Sequence, residues 1–103
     1  MEIGLFQLEN LFLVPSRWVF IDIRESHGPV EPQVESLLRK ATPLSRREVR
    51  VHLERCGADR EAPIVIVCET GASSAEVARE LERAGFNQVY IVAGGVAGLL
   101  SEL

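Results

Sequence analysis

The chain is 103 residues long, 47% apolar and 25% charged, which fits one globular domain over residues 1–103 with a sizeable core and excludes intrinsic disorder. Its formal net charge of −4 argues against nucleic acid or an anionic membrane surface as the main partner. No apolar run approaches the ~20 residues that span a bilayer, and the opening Met1-Glu2-Ile3-Gly4 is acidic where a signal peptide is basic, so a cytoplasmic protein is expected.

Short β-branched runs alternate with amphipathic stretches, the pattern of an α/β domain with a largely parallel sheet. A short strand is expected around Ile3–Leu5 and a helix near Leu8–Leu13. Trp18–Ile23 is a near-continuous apolar run, as a strand buried on both faces requires. Between Ser26 and Thr42 the pattern weakens, and Val34–Leu38, behind Pro29 and Pro32, reads as one or two helical turns. Ser45-Arg46-Arg47-Glu48 is a capping box, with Ser45 accepting from the backbone at Glu48 while Glu48 reaches back. Val49, Leu53 and Cys56 then recur at helical spacing until Gly57 stops the helix. Arg46, Arg47 and Arg50, interleaved with Glu48 and Glu54, read as a solvated face, and Cys56 beside Leu53 reads as packing. Pro63–Val67 is the strongest strand, with Pro at its start where a missing N–H is tolerated. A helix from Ser73 or Ser74 carries Val77, Ala78, Leu81 and Ala84 on one face, and Gly85 then Phe86 form its C-cap. Gln88–Val92 is a third strand, and a last short helix after Gly94-Gly95 runs through Leu99, Leu100 and Leu103.

Any chemistry centres on Cys68, in the loop Cys68-Glu69-Thr70-Gly71-Ala72-Ser73-Ser74. A thiol at the C-terminal end of a parallel strand faces the start of the next helix, where unpaired N–H groups and the dipole favour an anion. Gly71 permits a positive φ, and Ala72, Ser73 and Ser74 are small enough for amides to converge on the sulfur. The expected result is a stabilised thiolate and hence a nucleophile, with Ser73 and Ser74 offering hydroxyls to an anion or sulfane sulfur. The plain alternative is a buried, inert core thiol. A structural disulfide between Cys56 and Cys68 is not expected in a reducing compartment. Neither a Cys-x-x-Cys nor the spacing of His27 and His52 suggests a metal site.

These pieces, in this order, resemble the single-domain rhodaneses. Asp22-Ile23-Arg24-Glu25 is similar to the family's aspartate-apolar-arginine, and Ala41–Ser45 to the segment entering its next helix. Cys68–Ser74 is similar to its active-site loop, and Ala84–Val89 with Gly94-Gly95 to its late elements. The resemblance, over about Val19 to Leu99, implies a three-layer α/β/α domain with a mostly parallel central sheet. It also implies a ping-pong sulfur transfer in which Cys68 carries a persulfide. The donor would be thiosulfate or a persulfide-bearing protein and the acceptor a thiol or a protein, without metal or organic cofactor. Substrate contacts are expected from Glu69, Thr70, Gly71, Ala72, Ser73 and Ser74, with Arg24 and Asp22 beside them. Arg24 either turns toward the loop, as the resemblance implies, or pairs with Glu25 or Asp22.

The chain departs from that pattern where anionic donors are held. Active members often carry Arg two positions after the loop glycine, where this chain has Ser73, which cannot replace a bidentate charge. Glu69 stands beside the nucleophile where thiosulfate-using members tend to be basic, and its carboxylate repels a dianion. The family's Gly-His-Ile-Pro-Gly-Ala stretch is replaced by His27-Gly28-Pro29-Val30, so that histidine's role does not carry over to His27. Leu99 stands where a tryptophan is common. These changes favour a protein persulfide as donor over free thiosulfate. Three other classes compete. A catalytically inactive interaction or redox-sensing module would keep Cys68 as a packed thiol. A cysteine phosphatase or arsenate reductase requires Arg at the position of Ser74, and thioredoxin-like chemistry requires a second loop cysteine.

Overall fold

A computed structural model describes residues 1–13 and 18–103. Its elements run β1 (Glu2–Ile3), α1 (Leu5–Leu13), β2 (Val19–Asp22), α2 (Pro32–Leu38), β3 (Thr42–Pro43), α3 (Val49–Arg55), β4 (Ile64–Val67), α4 (Ala72–Arg83), β5 (Val89–Val92) and α5 (Gly95–Ser101). The five strands form one sheet in the order β1-β5-β4-β2-β3, and every neighbouring pair is parallel. With helices on both faces this is a three-layer α/β/α architecture, as expected.

The unbroken Ile64-Val65-Ile66-Val67 is apolar throughout because β4 is central and covered on both sides. Its pleat divides the core. Val65 and Val67 pack with Leu8, Phe20, Val34 and Leu99 beneath α1, α2 and α5. Ile64, Ile66 and Cys68 pack with Ile21, Ile23, Val49, Leu53, Val77 and Leu81 beneath α3 and α4. Cys68 therefore continues the row of Ile64 and Ile66, and its side chain leaves the sheet toward the start of α4.

Helix ends differ from expectation by a few residues. α1 begins at Leu5, where the Glu102 carboxylate accepts the Leu5 N–H, a long-range cap that no local pattern announces. α2 is capped by Glu31, whose carboxylate accepts the N–H groups of Gln33 and Val34, with Pro32 at the first helical position, where its missing N–H costs nothing. Half of the capping box forms as drawn. Glu48 accepts the Ser45 N–H at 3.0 Å, but the Glu48 N–H goes to the Ser45 carbonyl at 3.0 Å and not to its hydroxyl, so a tight turn precedes α3. At the far end of α4, Gly85 has φ +95° and Phe86 N–H reaches the Leu81 carbonyl, the expected C-cap.

Two expectations need correction. Cys56 is exposed. Val49 and Leu53 alone define the buried stripe of this two-turn helix, and Cys56 is its C-cap, past the point where the chain faces the sheet. The last helix ends at Ser101, short of Leu103; Leu99 is buried, while Leu100 and Leu103 are exposed.

Candidate functional site

The carboxyl ends of parallel strands leave a crevice wherever the following segments diverge, and ligands of such sheets bind there. Here the segments after β2, β3 and β4 meet. The register Asp22↔Pro43 and Asp22↔Val67 brings residues 23–27, 43–48 and, from the segment after β4, Ser73 around a cleft of about 570 Å³ lined by Arg24, His27, Leu44, Arg46 and Arg47, among others.

Cys68 sits at the floor of this end of the sheet, 1% exposed. The N–H groups of Gly71 and Ser74 point at its Sγ from 3.0 and 3.4 Å. Ser74 Oγ lies 3.3 Å from Sγ and donates its proton to the Gly71 carbonyl at 3.1 Å, so the thiol proton is directed to Ser74 Oγ. Two amides and the first turn of α4 thus offer positive charge to the sulfur. Gly71, at φ +96°, is the residue that turns the loop back on itself, a conformation that side chains resist.

The loop is clamped from behind. Val96 N–H donates to the Cys68 carbonyl at 2.8 Å and Ala97 N–H to the Glu69 carbonyl at 3.0 Å. That approach is the reason for glycine at 95, since a Cβ there would lie 2.3 Å from the Cys68 carbonyl oxygen.

The other expected residues fall in different places. Glu69 is exposed, and its carboxylate accepts the Glu25 N–H at 3.1 Å, tying the loop to the segment after β2. Thr70 and Ala72 are exposed and supply none of the hydrogen bonds to the sulfur found among the described residues. Ser73 faces the cleft and not the sulfur. Arg24 turns back on Asp22, with Nη2 2.8 Å and Nε 3.0 Å from Oδ2. The pair is buried, at 8% and 3% exposure, so most of the Arg24 charge is spent within the wall of the cleft.

Sequence reasoning missed several cleft residues. Arg46 and Arg47, read as a solvated face, line the cleft; His27 stands with Nδ1 3.5 Å from Asp22 Oδ2 and from Arg24 Nη2. None of them has a periodicity signal. The usable signal was topological, that segments following adjacent parallel strands converge. Among the described residues no group of His, Cys, Asp and Glu is arranged to hold a metal ion, and no helix is long and apolar enough to cross a membrane.

The model of the rhodanese-like domain family matches residues 15–102. The chain belongs to the rhodanese-like family. This rhodanese-like chain is 34% identical over 89 residues to the thiosulfate sulfurtransferase GlpE of Coxiella burnetii, a match covering 85% of this chain and 78% of that protein, which sets it among the rhodanese-like sulfurtransferases. Its fold is shared with a rhodanese-like domain protein from Staphylococcus aureus (TM-score 0.69, 22% identity, covering 94% of this chain and 88% of that one). It is also similar to part of a NAD-dependent persulfide reductase from A. fulgidus (TM-score 0.63, 30% identity), where 93% of this chain matches only 15% of the larger one.

Proposed function

We propose that residues 1–103 work as one cytoplasmic domain that carries sulfane sulfur as a persulfide on Cys68. The observation that carries this reading is the pair of amides, Gly71 and Ser74, aimed at Sγ from 3.0 and 3.4 Å. The Cys68 thiolate attacks the outer sulfur of the donor. A new S–S bond forms to Cys68 as the donor's own S–S bond breaks, and the electron pair leaves with sulfite or a thiolate. A nucleophilic acceptor, a thiol or a protein cysteine, then takes the outer sulfur and returns Cys68 as thiolate. The loop amides receive the negative charge in both halves, and Ser74 can turn its hydroxyl from the Gly71 carbonyl to the sulfur once the thiol proton is gone. No cofactor enters either half. The loop itself, with Ser73 and Glu69, offers no bidentate cation to a free dianion, so a protein-bound persulfide is the preferred donor. Arg24, Asp22 and the loop residues Glu69, Thr70, Gly71, Ala72, Ser73 and Ser74 shape the surroundings.

The test is intact-mass spectrometry of the reduced protein after thiosulfate and, separately, after a persulfide donor, beside Cys68→Ala. A gain of one sulfur atom, absent from the variant, is expected, with the persulfide donor the more effective. The near-complete burial of Cys68 favours one other reading, a catalytically inactive interaction or redox-sensing module. No gain from either donor, with Cys68 still open to an alkylating agent, would select it.

A further inference from the structure

The cleft at the sulfur loop continues into a second, of about 470 Å³, and the two share Leu44, Arg47 and Glu48. This second depression runs along α3 past Val51, His52 and Arg55 to Cys56. Its charge is opposite to that of the molecule. The chain carries −4 overall, yet four of its eleven Lys and Arg side chains, Arg46, Arg47, Arg50 and Arg55, fall within residues 46–55.

Surface arginines are ordinarily neutralised by neighbouring carboxylates, and half of these are. Arg46 pairs with Glu76 and Arg50 with Glu54, while Glu48 is turned to the Ser45 N–H. Arg47 and Arg55 are exposed and make no ion pair among the described residues. Arg47 stands in the turn that leads into α3 and Arg55 at its last residue, four residues either side of Val51, which is 45% exposed, so cation, apolar side chain and cation follow one another along the groove. Val51 and Arg55, one helical turn apart, are separated by roughly 6 Å along the axis at 1.5 Å per residue. Alternate side chains of an extended segment are roughly 6.6 Å apart and share one face.

We propose that this groove takes an extended acidic segment, of the pattern acidic-x-apolar-x-acidic, of the protein that brings sulfur to Cys68. The two carboxylates meet Arg47 and Arg55, and the apolar side chain covers Val51 and Leu44. The partner is thereby led along α3 to the cleft that Arg47 also lines. The identity of the partner as sulfur donor rests on the persulfide reading, whereas the groove and its row of side chains do not.

The experiment therefore uses the full chain carrying Cys68→Ser, which forms no persulfide, and leaves the mass measurement to test the chemistry. The ¹⁵N-labelled protein is titrated at low ionic strength with the peptide Gly-Glu-Ser-Leu-Ser-Glu-Gly. Parallel titrations use a peptide of the same composition with adjacent glutamates, the glutamine version, and oligothymidylate. Saturable shifts are expected at the amides of residues 47–55 and not at 79–84. Affinity is expected to fall at least tenfold in Arg47→Glu/Arg55→Glu and in the milder Arg47→Gln/Arg55→Gln, and to be unchanged in Arg83→Glu on the last turn of α4. Absence of saturable shifts, equal binding of the rearranged peptide, no loss in either double variant, or tighter binding of oligothymidylate would each overturn the proposal.

Discussion

The amide of Val96 donates to the carbonyl oxygen of Cys68 at 2.8 Å, so the start of α5 holds the end of β4 and fixes where the sulfur stands. The bond requires the chain to pass at van der Waals distance, which is why residue 95 lacks a side chain. Gly95→Ala places a methyl group against backbone that cannot move aside, at a φ of +62° that already disfavours alanine. A loss of at least ~3 kcal/mol is expected, read as a fall in the urea midpoint, together with loss of sulfur loading by mass. An unchanged midpoint would show that the clamp is dispensable.

Ser74→Ala keeps the backbone amide at the sulfur and removes the hydroxyl that bonds the Gly71 carbonyl. Stability should fall by about 1 kcal/mol. Stopped-flow loading of Cys68 should slow, because one of the donors available to the thiolate is gone, while alkylation in 6 M urea stays the same as in the parent.

Asp22→Asn leaves the buried Arg24 guanidinium without its counter-charge. Breaking such a pair costs about 3 kcal/mol, less here to the extent that Arg24 reaches the cleft. The double variant Asp22→Asn/Arg24→Leu removes the stranded charge and should recover more than half of the loss. A thermodynamic cycle over the four proteins measures the coupling directly, and strict additivity would mean the pair contributes nothing to stability.

Glu69→Gln removes a negative charge from the residue after the nucleophile and keeps a side-chain oxygen for the Glu25 N–H. Repulsion of about 1 kcal/mol across solvent corresponds to roughly a fivefold rise in the rate of loading from thiosulfate. Loading from a singly charged persulfide donor should change less, and both differences should shrink with added salt. Equal rises for the two donors would remove Glu69 from donor selection.

The Glu48 carboxyl is held below the ordinary carboxylate value of 4.5, chiefly by the N–H of Ser45. A group with a lowered value in the folded state contributes stability above its unfolded value and loses it as pH falls through the folded one. The start of α3 should therefore loosen at pH below about 4.5, seen as faster amide exchange at Val49–Leu53. In Glu48→Gln that acid dependence should be absent.

Much of the layout is readable in the chain itself, because it follows from local chemistry. Ile64–Val67 can only be a central strand, since four consecutive apolar residues need cover on both faces. Gly85 followed by Phe86 can only end a helix that packs. The order of strand, Cys68, Gly71 and helix already puts a thiol before a helix start. Pairing across the sheet, by contrast, has no local signature. Nothing near Thr42-Pro43 announces an edge strand, a place where proline is tolerated because one side of the strand is unpaired. Nothing near Leu5 announces that Glu102, 97 residues on, caps α1.

The same division holds at the site. That the sulfur would be cradled by its own loop followed from residue size and from Gly71. That Gly71 and Ser74 would supply the amides, and that Ser73 would face the cleft, depended on where the turn placed each group in space. The choice left open for Arg24 was decided by the pleat of β2. Asp22 lies on the opposite face from Ile21 and Ile23, and the guanidinium folds back to satisfy it before it can reach the sulfur. Arg47 entered the cleft only because β3 lies parallel to β2, which carries the residues after Pro43 alongside those after Asp22. The sequence determined which groups exist and which short segments they stiffen. The tertiary structure decided which of them meet, because parallel pairing joins segments far apart along the chain and burial makes each charge find the nearest partner.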